Sequence, residues 1–434
     1  MNYPKQPNFR ILTDHLAEYA RLQTEQGGDA AAIQAALDKA ERDLQAAIAA
    51  MRALPVDAAL AAAEPDDLAA IRALRPDGPR AIWKGLEDSF ADKLAGAFLA
   101  RCAGCTLGAI VEFWEVDAME KWAAHIGDTF PPVDYWTRIK DEIAPRYGKT
   151  PCIGYTRGGI EGVPVDDDIT YTQLGLLIAE DHGLDFTVAD VGKAWLKYLP
   201  YACTAEDIAL QNLKAGVPAE LAGVTDNPYV QWIGADIRAD PFGYMAPGLP
   251  ERAAGMAYYD ANISHRRNGT YGEMLFAAAI AAAFAVDDPL EAIRIGLTEI
   301  PADCLLARDV RWALDIAPTI PDYRAARDAV DKRFEGMHGV HTNLNACLTV
   351  FGLAIGGLDV TRVIAETVAM GQDNDCTAAT AGSIVGAIVG KKGVPEHWYK
   401  PFGDVCHTYL IGIDQFSISD LLARFAAQAG KAFE

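Results

Sequence analysis

Gly371-Gln372-Asp373-Asn374-Asp375-Cys376-Thr377, running into Ala378-Ala379-Thr380-Ala381-Gly382, is the stretch on which the fold turns. Two carboxylates stand two residues apart at the mouth of an apolar run. Positions i and i+2 of a helix do not face each other, so the pair converges on one point only on a loop entering the helix. Asp375 is the expected N-cap of a helix over residues 377–388, and its carboxylate either caps backbone amides or binds a cation.

Small residues carry this reading outward to the fold. Gly382, Gly386 and Gly390 recur every fourth residue, and Gly96, Ala100, Gly104 and Gly108 do the same upstream. A stripe of glycines lowers helix propensity by about 1 kcal/mol per residue. Such a stripe makes sense where a second helix comes close, so the two segments should cross at the centre of the domain, nearer than the usual separation of about 8–10 Å. Glu112, one step beyond Gly108, then either projects from its helix end toward the acids or sits on the surface in a last turn.

A second acidic cluster, Asp166-Asp167-Asp168, also leads into an apolar helical run, around Leu174, Leu176, Leu177 and Ile178. Oxygen-only ligands from two such clusters suit a hard cation such as Mg2+ or Mn2+. A pair of cations fits five carboxylates better than one.

The chain has 434 residues, enough to bury a substantial core. Its 38 basic and 60 acidic side chains give a net charge of −22, which opposes nucleic-acid and anionic-membrane binding. The amino-terminal text has no uninterrupted apolar segment of the secretory kind, and the longest apolar run, residues 275–286, is too short for a membrane span. A cytoplasmic protein with no membrane partner is expected. The eight cysteines read as reduced thiols, and Cys102-x-x-Cys105 lacks the second pair or histidine of a zinc site.

Residues 30–53 place Ile33, Leu37, Ala40, Leu44, Ile48 and Met51 on one helical face. Proline-rich breaks follow, and residues 1–85 are expected to form a helical extension that packs on the main domain or joins a homo-oligomer. Residues 126–165 and 223–272 read as long, glycine- and proline-rich functional loops. In the second, Arg266 and Arg267 are the only adjacent arginines of the chain and are candidates to meet phosphates, with Asn268, Tyr271 and Gly272 beside them in a substrate-binding segment. His265 either orients a ligand or is a buried, hydrogen-bonded histidine. Further helices are expected over residues 273–284, 290–299, 304–315, 323–334, 346–355 and 360–370. Period-two alternation is missing throughout, so the fold class is all-α, with residues 86–434 as one large multi-helix domain.

The small-residue helix ending in Glu112, the Asp-rich motif before a helix, the His…Tyr-Gly segment and the late Gly-x-Asp-x-Asp motif occur in an order that resembles the ADP-ribosylglycohydrolase family over about residues 90–395. The resemblance implies an orthogonal all-α domain with two Mg2+ or Mn2+ ions in a cleft, binding ribose hydroxyls and a water, and hydrolysis of an N- or O-glycosidic bond to ADP-ribose. It places metal ligands at Asp166, Asp167, Asp168, Asp373, Asp375 and Cys376, catalytic roles at Glu112, Asp168 and Asp375, and a ligand contact at His265. This chain has Asp166, Ile169 and Cys376 where the family carries Thr, and Cys105 where it carries Asp. Glycohydrolysis of another ribosyl or nucleoside-type compound, or binding of ADP-ribose without catalysis, are the alternatives. A terpene-cyclase-like site would need Asp where Thr170 stands, and a His-Asp phosphohydrolase would need a His-Asp dipeptide.

Overall fold

The computed structural model describes residues 3–434, and the first two residues of the expected extension lie outside them. Among the described residues there are 21 α-helices, and the strands are confined to two short antiparallel ladders, Pro145–Arg146 with Thr150–Pro151 and Val405–His407 with Gln415–Ser417. The all-α expectation holds. No helix among these residues is long and apolar enough to cross a membrane.

The chain forms two compact units, Met1–Ala62 and Ala63–Glu434. In the first, the helices Phe9–Glu25 and Ala30–Arg52 are capped by Asn8 and Asp29, whose side chains accept from Ile11 and Ala32 amides. Phe9, Leu12, Tyr19, Ile48 and Met51 of these helices are exposed.

The boundary expected at residue 85 falls instead at 62, because residues 63–85 are anchored in the larger unit. Glu64 is buried and accepts from Asn268 Nδ2 at 3.0 Å and the Leu305 amide at 2.8 Å. Arg75 and Arg80 pair with buried Glu299 at 2.6 and 2.8 Å. Ile71 is fully buried in the core.

At the centre of the larger unit, the helices Phe90–Ala109 and Asn374–Val389 cross through their glycine stripes. A Cβ on Gly104 would lie 2.2 Å from the Ala378 carbonyl oxygen, and one on Gly386 would lie 2.3 Å from that of Gly96. Backbone meets backbone here. Every residue of Asn374–Val389 up to Ile388 is buried, so this helix is the axis around which the others pack.

The stretch 223–272, read as loop, is largely helical: Ile233–Arg238, Asp240–Met245 and Pro250–Ala261, with Asn268–Ala283 starting five residues earlier than expected. Pro241 and Pro250 sit in first turns, where the missing N–H has no intrahelical partner to lose. Residues 126–165 do hold a loop, and it carries the Pro145–Pro151 hairpin with its turn at Tyr147 (φ 50°) and Gly148 (φ 65°).

Candidate functional site

The glycine crossing delivers the acids to one place. Gly108 lies against the backbone of Asp375, where a Cβ would come within 2.6 Å of its Cα. Just beyond that contact the chain turns, with Phe113 at φ 59°, and the Phe113 amide donates to the Gln372 carbonyl at 2.9 Å, Gln372 itself being at φ 62°. Non-glycine residues in this conformation cost on the order of 1–3 kcal/mol each and persist where the surroundings fix them. The two strained turns hold Glu112 and Asp373 side by side.

Helix starts aim the remaining carboxylates. Asp373 is the N-cap position of Asn374–Val389, but its side chain makes no capping bond, and Asp375 sits in the first turn. The helix thus begins three residues before the expected start, and the expected capping role of Asp375 is not realised, because both carboxylates turn toward the cluster. Asp166 is the N-cap of Asp167–His182 and accepts from the Asp168 amide at 3.2 Å. The half-buried Asp167 accepts from the Tyr147 hydroxyl at 2.6 Å.

Three ligand-spaced groups result, each with its ligand atoms within 4.8 Å of one another: Cys105, Asp166 and Asp168; Asp168, Asp375 and Cys376; Glu112, Asp373 and Asp375. Asp168 and Asp375 each belong to two groups, so the three form one chain of donors. Arg146 enters it from the hairpin, 3.0 Å from Glu112, 3.0 Å from Asp166 and 3.2 Å from Asp375. Arg101 lies beneath, 3.6 Å from Asp168 and 2.7 Å from Asp240, and donates to the Asp168 and Ile237 carbonyls.

Burial dominates the electrostatics. Desolvation, opposed by Arg146, pushes the Glu112 carboxyl up to about 7. Desolvation and then the charge of Asp166 take Asp167 to about 7, and desolvation and then Glu112 take Asp375 to about 7. Asp168 and Asp373 are raised well above the usual carboxylate range, by burial first and by Asp375 next. Cys376 and Cys105 are held as thiols by burial and the neighbouring acids, and Cys376 Sγ donates to Asp168 Oδ2 at 3.3 Å.

The cluster fits divalent cations. Buried oxygens of Asp168, Asp373 and Asp375 have no hydrogen-bond donor, and a buried charge without a partner is among the costliest arrangements in a protein. A hard cation satisfies those oxygens and lowers the raised proton affinities at once.

The other expected site residues lie elsewhere, each with protein partners. His265 is buried, with Nδ1 2.8 Å from Ser264 Oγ, and burial followed by Arg238 keeps it neutral. Arg266 donates to the carbonyls of Asn262, His265 and Glu220. Arg267 pairs with buried Glu64, and Asn268 bonds Glu64, Gln231 and the Leu306 amide. The Tyr271 hydroxyl donates to the Pro65 carbonyl, and Gly272 packs on Asp236. The structure does not bring this segment into the acidic cluster. It anchors residues 64–66, and a helix start at Asn268 replaces the expected loop.

Arg146, Tyr147, Arg101 and Cys105 were not expected in the site. Arg101 had a visible signal, as the one charged residue between Leu94 and Val111. Arg146 had only the turn chemistry of Tyr147-Gly148 beside it.

The family model described as ADP-ribosylglycohydrolase matches residues 86–430. No curated protein matches the sequence. A solved structure titled "ADP-ribosylglycohydrolase-related protein complex" superposes with a TM-score of 0.53 at 17% identity, covering 80% of this chain and 100% of that one. At that identity the likeness bears on the fold.

Proposed function

This chain belongs to the ADP-ribosylglycohydrolase family, and from that membership we propose that it hydrolyses the N- or O-glycosidic bond of an ADP-ribosyl substrate at the acidic cluster, with two Mg2+ or Mn2+ ions. The observation that carries the reading is the convergence of Glu112, Asp166, Asp168, Asp373 and Asp375 in three overlapping ligand-spaced groups, in which buried oxygens of Asp168, Asp373 and Asp375 lack donors. Asp166, Asp168, Asp373 and Asp375 would hold the ions, with the half-buried Asp167 beside them. When bound, such ions orient the ribose hydroxyls and make a water more acidic.

The residues of the chain supply the proton handling. Cleavage at the anomeric carbon develops oxocarbenium character, and a carboxylate beside the attacking water accepts its proton as the bond to the leaving group breaks. Glu112 is the partly exposed member of the ligand-spaced groups, and its proton affinity near neutrality suits an acid–base group.

One observation favours a second reading. Arg266 and Arg267, the arginines expected to meet phosphates, are engaged with the protein, so a diphosphate has no assigned cationic partner. A ribosyl or nucleoside-type substrate without the diphosphate would need none. A panel of ADP-ribosylated peptides and small ribosides, assayed for product release with Mg2+ and Mn2+, tests both. Free ADP-ribose as product supports the first reading. Turnover confined to simple ribosides replaces it with the second, and no turnover of any member with either ion would sink both.

A further inference from the structure

Arg146 stands where the acids converge, and we infer that it is a tethered cation occupying part of the metal centre, which must withdraw before the second divalent ion binds. The inference rests on the metal-dependent reading above. Its guanidinium engages Glu112 and Asp375, two of the three members of one ligand-spaced group, and also reaches Asp166 in another. The group of Asp168, Asp375 and Cys376 is touched only through one oxygen of Asp375. An oxygen that accepts from a guanidinium is not free to ligate an ion from the same side. With Arg146 in place, the chain therefore offers an open position for one divalent ion and a filled position for the other.

Charge points the same way. A guanidinium brings one positive charge, spread over a fork, to carboxylates that would take two charges concentrated at a point. Among the described residues, Glu112, Asp166 and Asp375 pair with this one cation, since Arg101 is committed to Asp168 and Asp240. Arg146 thus relieves the repulsion without cancelling it, as a placeholder would.

The tether is a short hairpin, and withdrawal also has to break the guanidinium's bond to the Ala109 carbonyl. Arg146 lies on a two-residue strand whose turn runs through Tyr147 and Gly148 at positive φ. Lys149, Thr150 and Pro151 on the return arm line a cavity of about 570 Å3 shared with Gly162 and His407. The same hairpin places the Tyr147 hydroxyl on Asp167 at 2.6 Å and takes a bond from the Tyr201 hydroxyl to the Tyr147 carbonyl at 2.9 Å. Withdrawal of Arg146 would release Asp167 as well, freeing ligands on both sides of the cluster in one motion.

Calorimetric addition of Mn2+ to the full chain tests this without any assay of turnover. Wild type should bind one ion, with a second weaker by about tenfold or more. Arg146→Gln, which removes the charge and keeps a planar polar group, should tighten that second step by about tenfold or more. Arg146→Lys keeps a charge but loses the fork. It should tighten the second step by a smaller factor, and it serves as the test if the Gln variant does not fold. Second-site affinity unchanged or weakened in both variants overturns the inference while leaving the metal centre intact. Absence of Mn2+ binding in wild type and variants alike would overturn the metal-dependent reading itself, and this inference with it.

Discussion

Two clusters of buried carboxylates share the larger unit, and each has an arginine at its heart. Around Arg146 stand Glu112, Asp166 and Asp375. Around Arg238 stand Asp260 at 3.1 Å and Glu273 at 3.5 Å, with Asp236 and Glu206 within electrostatic reach. Arg238 is buried, its guanidinium over the rings of Tyr171 and Trp195 at 5.5 and 5.0 Å, and among the described residues no ligand-spaced group includes its acids. Arg146 is partly exposed on a hairpin, and its acids come from helix starts and strained turns. Acidity and burial are common to both clusters. Donor-free buried oxygens also occur in both, so ligand spacing and a partly exposed cation are what set the Arg146 cluster apart.

The largest effect should come from breaking the structural cluster. Arg238→Met keeps much of the volume over Tyr171 and Trp195 but strands Asp260 and Glu273, and loss of one partner from a buried ion pair typically destabilises by about 3–5 kcal/mol. Chemical denaturation should show that loss, while the gain in Tm on adding Mn2+ stays as in wild type. If the Mn2+ response disappears with Arg238, the clusters are one coupled system and the contrast fails.

The contrast also has a pH signature. Burial raises the Glu206 carboxyl to about 7 from an ordinary value of 4.5. A raised acid contributes stability that is fully present below its unfolded value and is lost as pH rises through the folded one. Between those two values wild type should lose up to about 3 kcal/mol from this group. Glu206→Gln, always neutral, should flatten that part of the stability curve in the presence of a chelator. Glu112, Asp167 and Asp375 titrate in the same window, but ion binding requires their deprotonated forms. The Mn2+-dependent gain in Tm should therefore grow as pH rises through about 7, opposite in sign to the Glu206 effect.

How much of this was legible follows from what each feature depends on. The helix crossing was readable because Gly96, Gly104, Gly108, Gly382 and Gly386 carry it in their spacing alone, and backbone contact at these positions admits no side chain. Glu112 followed from its step beyond Gly108. The capping logic placed the start of the last central helix too late, because the Asp373 and Asp375 carboxylates face the cluster rather than the backbone amides they could have capped. Arg266 and Arg267 looked like phosphate ligands because their partners, Glu64 and the carbonyls of Glu220 and Asn262, are distant in sequence or have no side-chain signal. Arg146 depended on where a long loop closes, which local pattern does not encode.

The smallest effect on stability should be the most informative. In Asp375→Asn the side chain keeps its shape and one oxygen acceptor, so its contact with Arg146 at 3.2 Å can be retained as a neutral hydrogen bond. It caps no amide in the helix start it occupies, so no cap is lost. A charge also leaves a crowd that includes Glu112, Asp373 and Asp168, which offsets part of whatever the weaker contact with Arg146 removes. Without divalent ions the net change should stay within about 1 kcal/mol, the worth of one ordinary hydrogen bond. With Mn2+ the outcome should diverge, because Asp375 belongs to two of the three ligand-spaced groups and its loss disrupts both. Wild type at a hundredfold excess of ion over Kd should gain about 2.7 kcal/mol, whereas the Asn variant should gain little and lose turnover. A metal response equal to that of wild type would reduce the Arg146 cluster to a second version of the Arg238 cluster, a buried ion pair with no chemistry attached.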